Sequence, residues 1–271
     1  MPFTLCHPAI VLPLHARARQ LTSLSALVIG SMAPDFVYFL PVGANGHFTH
    51  SVPGMFMYCL PAGLLVYCIY HSLLRETFVD WAPPVISRRM PPAMPWRERK
   101  PGIWGIVLLS LVIGAASHIA WDAFTHPNTI LVRHLDVLRM PVFSLGGHAV
   151  PLFKLLQHLS SLVGFLVIAA YVRHWIRTTE PGPLPCKHLS ARQGLYVVMG
   201  VAMSAVAGGA AGVLLRPART NEHALFNAVV TAMAMAGLAI LLFCVVRKLA
   251  ALRGSPRRCT ETESGRDEPA A

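Results

Sequence analysis

Residues 194–215 read GLYVVMGVAMSAVAGGAAGVLL, a run in which Tyr196 is the only ionisable side chain. A helix on the surface of a soluble protein carries a polar face, and this stretch has none. Its length matches a hydrocarbon core about 30 Å thick, so it reads as a membrane span. Four more runs resemble it, at approximately 52–74, 102–124, 150–172 and 224–246, and the second and third of these carry a few polar groups.

The whole chain agrees with that reading. It has 271 residues, 54% of them hydrophobic and 13% charged, where a soluble chain carries about 25% charged residues. Mean hydropathy is +0.53. The expected fold is all-α: a polytopic transmembrane helical bundle of five spans, preceded by a helical hairpin over residues 3–40. Residues 1–250 form one membrane-embedded domain, and the polar, mixed-charge residues 251–271 form a disordered tail. Pro2, His7, Pro8 and Pro13 interrupt the start, which therefore lacks the apolar stretch and cleavage site of a signal peptide.

A formal charge of +11 raises the question of nucleic acid. No basic stripe interleaved with aromatics exists to bind it, and the arginines lie between the apolar runs, where they report topology. Membrane lipids are the expected surroundings. The cysteines at 6, 59, 68, 186, 244 and 259 show no CxxC spacing and read as free thiols.

Loops rich in Lys and Arg belong to the cytoplasm. Residues 75–101 hold Arg75, Arg88, Arg89, Arg97, Arg99 and Lys100, residues 173–193 hold Arg173, Arg177, Lys187 and Arg192, and the C-terminal end adds Arg247, Lys248, Arg253, Arg257 and Arg258. These segments, with the C-terminus, read as cytoplasmic. Loops 41–51, 125–149 and 216–223 are poorer in these residues and read as exoplasmic. In the hairpin, Arg17 and Arg19 mark a cytoplasmic turn, which places His7 and Asp35 at the same exoplasmic depth. The arm over residues 3–16 is short and contains Pro8 and Pro13, so it either spans or lies at the interface.

Ionisable groups at membrane depth need partners or a role. In SHIAWDAFTH, His118, Asp122 and His126 recur at i, i+4 and i+8 along one helical face, and Pro127 ends the helix. In GHFTHS, His47 and His50 precede the first long run, and Asp35 follows Pro34 in SMAPDF. Together with His7, seven candidate metal ligands from four segments meet at one end: His7, Asp35, His47, His50, His118, Asp122 and His126. Nitrogen and oxygen donors without cysteine suit Zn, Mn or Fe in an open site. Asp35 or Asp122, whichever is not a ligand, is the candidate general base.

Each residue also has a plainer role. His47 and His50 can be loop residues, His118 and Asp122 a hydrogen-bonded helix pair, His7 an interfacial residue, and Asp35 a helix cap. His15, His71, His174, His188 and His223 read as structural. His158, beside Gln157, can support a ligand, and His134, Asp136 and His148 can supply a further one. GxSxG, GxxxxGK[ST], HExxH and GxGxxG are absent, so serine hydrolases, P-loop NTPases, zincins and dinucleotide enzymes lack their signatures.

MPFTLCHPA, ALVIGSMAPDFVYF, GHFTHS and SHIAWDAFTH together resemble a bacterial membrane-protein family of unknown function, DUF4184, over most of the chain to about the fifth span. The same order of His, PD, HxxH and HxxxDxxxH is distantly similar to the DUF457/YdjM-like membrane-bound metal-dependent hydrolases and, in ligand order, to zinc-dependent phospholipase C. That resemblance implies metal roles for all seven residues, zinc as the leading metal, and a bacterial inner-membrane location. The acidic motif departs from the PDxD form, because Phe36 and Val37 follow Asp35.

The expectation is a metal-dependent hydrolase acting at the exoplasmic face on a phosphoester or lipid-linked substrate. The alternative is a non-enzymatic transporter or scaffold with a structural or proton-linked His/Asp cluster. A metal transporter would instead line a path across the bilayer with ligands.

Overall fold

The computed structural model describes residues 4–39, 46–91, 102–184, 190–218 and 220–253. Arg97, Arg99, Lys100, Cys186, Lys187, His188, Arg219 and Cys259 lie outside them, as does the tail from residue 254. The chain is a helical membrane bundle, with five helices long and apolar enough to cross a bilayer.

Two short helices come first, α1 (Pro8–Arg17) and α2 (Leu24–Gly30). The long helices follow: α3 (Val52–Trp81), α4 (Ile103–Thr125), α5 (Leu152–Thr178), α6 (Ala191–Leu215) and α7 (Asn221–Arg253). The first span, expected to end near Leu74, continues to Trp81. Helix α7 likewise takes in residues 251–253, which the sequence reading had placed in the tail. Ten residues of α1 rise only about 15 Å, so this arm does not cross a bilayer. Pro8 sits in its first turn, where the missing N–H costs nothing.

Local chemistry sets the helix ends. Ser190 and Gln193 form a reciprocal capping box at the start of α6. Ser51 caps α3 by accepting from the Gly54 N–H at 3.1 Å. Helix α3 widens into a π-turn over Met55–Cys59 just ahead of Pro61, which has no N–H to continue the α-helical ladder. Helix α4 stops at Thr125 because Pro127 pushes His126 into extended backbone.

Helices α2, α3 and α4 make the centre, with Ala26, Ile29, Tyr67, Val107 and Leu111 packed together. Glycines permit the α2–α4 crossing. A Cβ on Gly114 would stand 2.5 Å from the Leu27 carbonyl oxygen, and one on Gly30 would stand 2.3 Å from that of Leu111. The backbones therefore meet as in small-xxx-small pairs. Helices α6 and α7 use the same device. Gly208 and Gly212 face Thr231 and Asn227, whereas Gly200 meets nothing within 4 Å.

Helix α7 is tied to α3 at the basic end by Arg247 to Asp80 at 2.9 Å and by Lys248 to the Ser72 carbonyl at 2.7 Å. Arg88 and Arg89 donate to the carbonyls of Gly182 and Thr179, so the two arginine-rich segments lie side by side. Cys6, Cys59, Cys68 and Cys244 are free. One element departs from the all-helical expectation: an antiparallel ribbon of β1 (Pro141–Leu145) and β2 (His148–Pro151) between α4 and α5. Gly146 and Gly147, both at positive φ, make its turn.

Candidate metal centre

Helices α3 and α4 run antiparallel, so the residues before α3 meet the last turns of α4 at one end of the bundle. His118 and Asp122 project from α4, His50 from the turn before α3, Asp35 from the 3₁₀ turn Ala33–Asp35, and His7 from the N-cap of α1. His118 is fully buried, and Asp35 is 1% exposed.

The backbone fixes which ring nitrogen each histidine turns inward. Nδ1 of His118 lies 2.7 Å from the Ser31 carbonyl, that of His50 2.9 Å from the Gly46 carbonyl, and that of His7 3.3 Å from the Thr4 carbonyl. A carbonyl can only accept, so Nδ1 carries the proton and donates in all three rings. Nε2 is left to face the interior, the usual arrangement behind a metal-bound imidazole. The Gly30/Gly114 crossing makes the shortest of these bonds available, because it carries the Ser31 carbonyl onto α4.

The inward atoms form a regular figure. His118 Nε2 is 3.3 Å from His50 Nε2 and 3.3 Å from Asp122 Oδ2, and His50 Nε2 is 3.5 Å from the same oxygen. Ligands about 2.0–2.1 Å from a tetrahedral zinc stand about 3.3 Å apart, and these three atoms have that spacing. Asp35 Oδ1 approaches them, 3.4 Å from His50 Nε2 and 3.8 Å from His118 Nε2. It is buried with no hydrogen-bond partner, while its sister oxygen accepts from the Thr4 hydroxyl at 2.7 Å. The cation that faces this buried anionic oxygen is the His50 imidazole, and a metal ion bound beside it would take over that role.

His7 and His126 attend the other oxygen of Asp122, with His7 Nε2 at 3.2 Å and His126 Nδ1 at 3.4 Å from Oδ1. His7 also stacks on His118 with ring centroids 3.8 Å apart. His126 was placed with His118 and Asp122 along one helical face. The helix ends before it, and its ring folds back onto Asp122. His47 stands apart from the tight cluster. With His50, Asp122, His126, Tyr38 and Thr129 it lines a cavity of about 510 Å³ that opens onto the cluster. Burial works against a charge on His50, but the carboxylates of Asp122 and Asp35 outweigh it and push that imidazole up to about 10.

The weaker candidates lie elsewhere. His158 is exposed, and it is Gln157 that turns inward. His134 and His148 are exposed, and Asp136 pairs with Arg139. His15 meets Thr22 and His71 meets Ser25, near the basic end. Sequence reasoning missed Thr4, the carbonyls of Ser31 and Gly46, and Tyr38 and Thr129 in the cavity wall. Thr4 and the Ser31 carbonyl act through tertiary contacts, the Gly46 carbonyl through a bond four residues along the chain, and Tyr38 and Thr129 by lining the cavity.

Neither a curated protein nor a solved structure matches the chain. The family described as "Domain of unknown function (DUF4184)" matches residues 1–245. That range holds every candidate ligand and nearly all of the bundle, and the chain belongs to the DUF4184 family.

Proposed function

We propose that this protein is a membrane-bound, metal-dependent hydrolase of the bacterial cytoplasmic membrane, with zinc as its metal and its site at the exoplasmic face. One observation carries the reading. Nε2 of His50 and of His118, each ring locked by a backbone carbonyl, and Oδ2 of Asp122 stand 3.3–3.5 Å apart, the spacing of one face of a tetrahedral site, and Asp35 Oδ1 approaches that face. The order of these residues along the chain, similar to that of the DUF457/YdjM-like group, supports it.

His50, His118 and Asp122 Oδ2 would hold the metal, which leaves a fourth position beside Asp35. A bound divalent ion supplies Lewis acidity and lowers the pKa of a water towards about 7. Asp35 Oδ1, which faces the same atoms, would be the group placed to accept a proton from water there. Asp122 keeps its orientation through His7 and His126 on Oδ1. The cavity offers room for a phosphoester head group, with Tyr38, Thr129 and His47 as polar contacts and Ile119, Ala123 and Ile130 as apolar ones. A lipid or lipid-linked phosphoester fits a site that sits at the end of a bundle in the bilayer. Gathering of the ligands at one end, instead of along a path, speaks against metal transport.

The test is release of the head group from phospholipid, and of phosphate from a polyprenyl monophosphate, by the protein in vesicles. Turnover that chelator abolishes and zinc restores is the expected result. Stoichiometric zinc without turnover on either substrate would favour the non-enzymatic alternative.

Metal uptake should also depend on pH. His50 holds a proton up to about 10 and must lose it to bind metal, so binding releases a proton and strengthens as pH rises. Apparent affinity should climb about tenfold per pH unit for one displaced proton, measured by competition with a chelator between roughly pH 6 and 9.

A further inference from the structure

The segment between α4 and α5 has an unusual surface for a connecting loop. It contains two one-turn helices, Ile130–His134 and Asp136–Arg139, followed by the β1–β2 ribbon. Each helical piece turns one apolar residue inward, Val132 at 0% and Leu138 at 5% exposure. That is enough to seat the segment on the bundle. Around them Ile130, Leu135, Val137, Met140, Val142 and Phe143 all face outward, from 42% exposed at Leu135 to 69% at Ile130. Single exposed apolar residues are ordinary, but six within fourteen positions form a surface that water alone does not tolerate well.

Three features name what covers it. The segment starts where α4 ends and finishes where α5 begins, so it lies at the level at which two membrane-facing helices leave the hydrocarbon. Its outward apolar residues therefore continue the lipid-facing surface of Leu159, Leu162 and Val163 on α5. The exposed polar residues among them include Arg133, His134 and Arg139 against a single acid, Asp136, which pairs with Arg139. Apolar bulk beside a basic rim is the composition of elements that lie in the head-group layer.

We infer that residues 130–143 are a monotopic element docked in the membrane interface, with Ile130, Val137, Met140, Val142 and Phe143 immersed at the acyl boundary and Arg133 among the phosphates. Ile130 belongs both to this surface and to the wall of the 510 Å³ cavity. The cavity therefore opens at the depth of lipid head groups, and a ligand reaches it sideways from the leaflet. The docking itself does not depend on the metal reading.

Two measurements on protein in phosphatidylglycerol/phosphatidylcholine vesicles test it. The first places nitroxide labels singly at Val137, Val142 and Phe143, and at His134 and Asp136, in a background whose native cysteines are alanine. The first three should be quenched more by oxygen than by a water-soluble nickel complex, and the last two the reverse. Any of the three siding with water overturns the proposal. The second uses the unaltered chain and a phosphatidylcholine with a diazirine near its glycerol. Adducts should map to residues 130–143, and their absence after adducts form on α5 would equally overturn it. Neither readout involves metal or turnover, so it stands or falls separately from the hydrolase reading.

Discussion

Alanine at Asp122 should leave the detergent-purified protein with background metal where the parent chain carries a stoichiometric amount. The carboxylate touches all four histidines of the cluster: His50 and His118 on one oxygen, His7 and His126 on the other. Without it, one vertex of the three-atom face is gone, and of the four imidazoles only His50 and His118 keep a paired carboxylate, Asp35. Loss of a group that merely supports a ligand costs about 10–100-fold in affinity, and in the proposed site Asp122 would be both ligand and support. A fall of at least about a hundredfold, or roughly 2.7 kcal/mol, is expected. His118→Ala should behave the same way, while His47→Ala, at the cavity mouth, should keep its metal. Elemental analysis of the three variants beside the parent decides the matter, and unchanged metal in Asp122→Ala and His118→Ala would end the metal reading.

Valine at Gly114 should damage both the fold and the site. Its Cβ would lie 2.5 Å from the Leu27 carbonyl oxygen and 2.6 Å from the Ser31 nitrogen, and backbone atoms cannot swing aside as a side chain can. Overpacking of this kind costs about 1–3 kcal/mol, and a β-branched residue against backbone belongs at the upper end or beyond. Parting α2 from α4 also withdraws the Ser31 carbonyl from His118, which frees that ring to turn. A lower thermal midpoint in detergent, together with weaker zinc binding, is the expected pair of results. Gly105, where an added Cβ meets nothing within 4 Å, is the control: Gly105→Val should bind zinc as the parent does.

The parts that could be read from sequence are those that depend on one-dimensional statistics. The five spans follow from apolar runs such as 194–215, and the helix stop at Thr125 follows from Pro127. The meeting of His7 with the cluster follows from a hairpin argument, although the hairpin proves to be built of short helices packed on α4 and α5. The tautomer locks could not be read in this way. The carbonyls of Thr4, Ser31 and Gly46 are backbone atoms that every sequence possesses, and only the path of the chain brings them to Nδ1 atoms. The β1–β2 ribbon was hidden for a related reason. Its adjacent residues Val142 and Phe143 both face outward, so they carry no alternation that separates a core face from a wet one.

The lock between Ser31 and His118 joins residues 87 positions apart. At a synthesis rate of about 5–20 residues per second, the second partner emerges some 4–17 s after the first. Throughout that interval the newly inserted hairpin holds Asp35 at the membrane without the helix that will complete its surroundings. The surroundings of Asp35 are therefore complete only once α4 has arrived. The order in which the ribosome delivers the ligands thus belongs to the biology of this site as much as their final distances do.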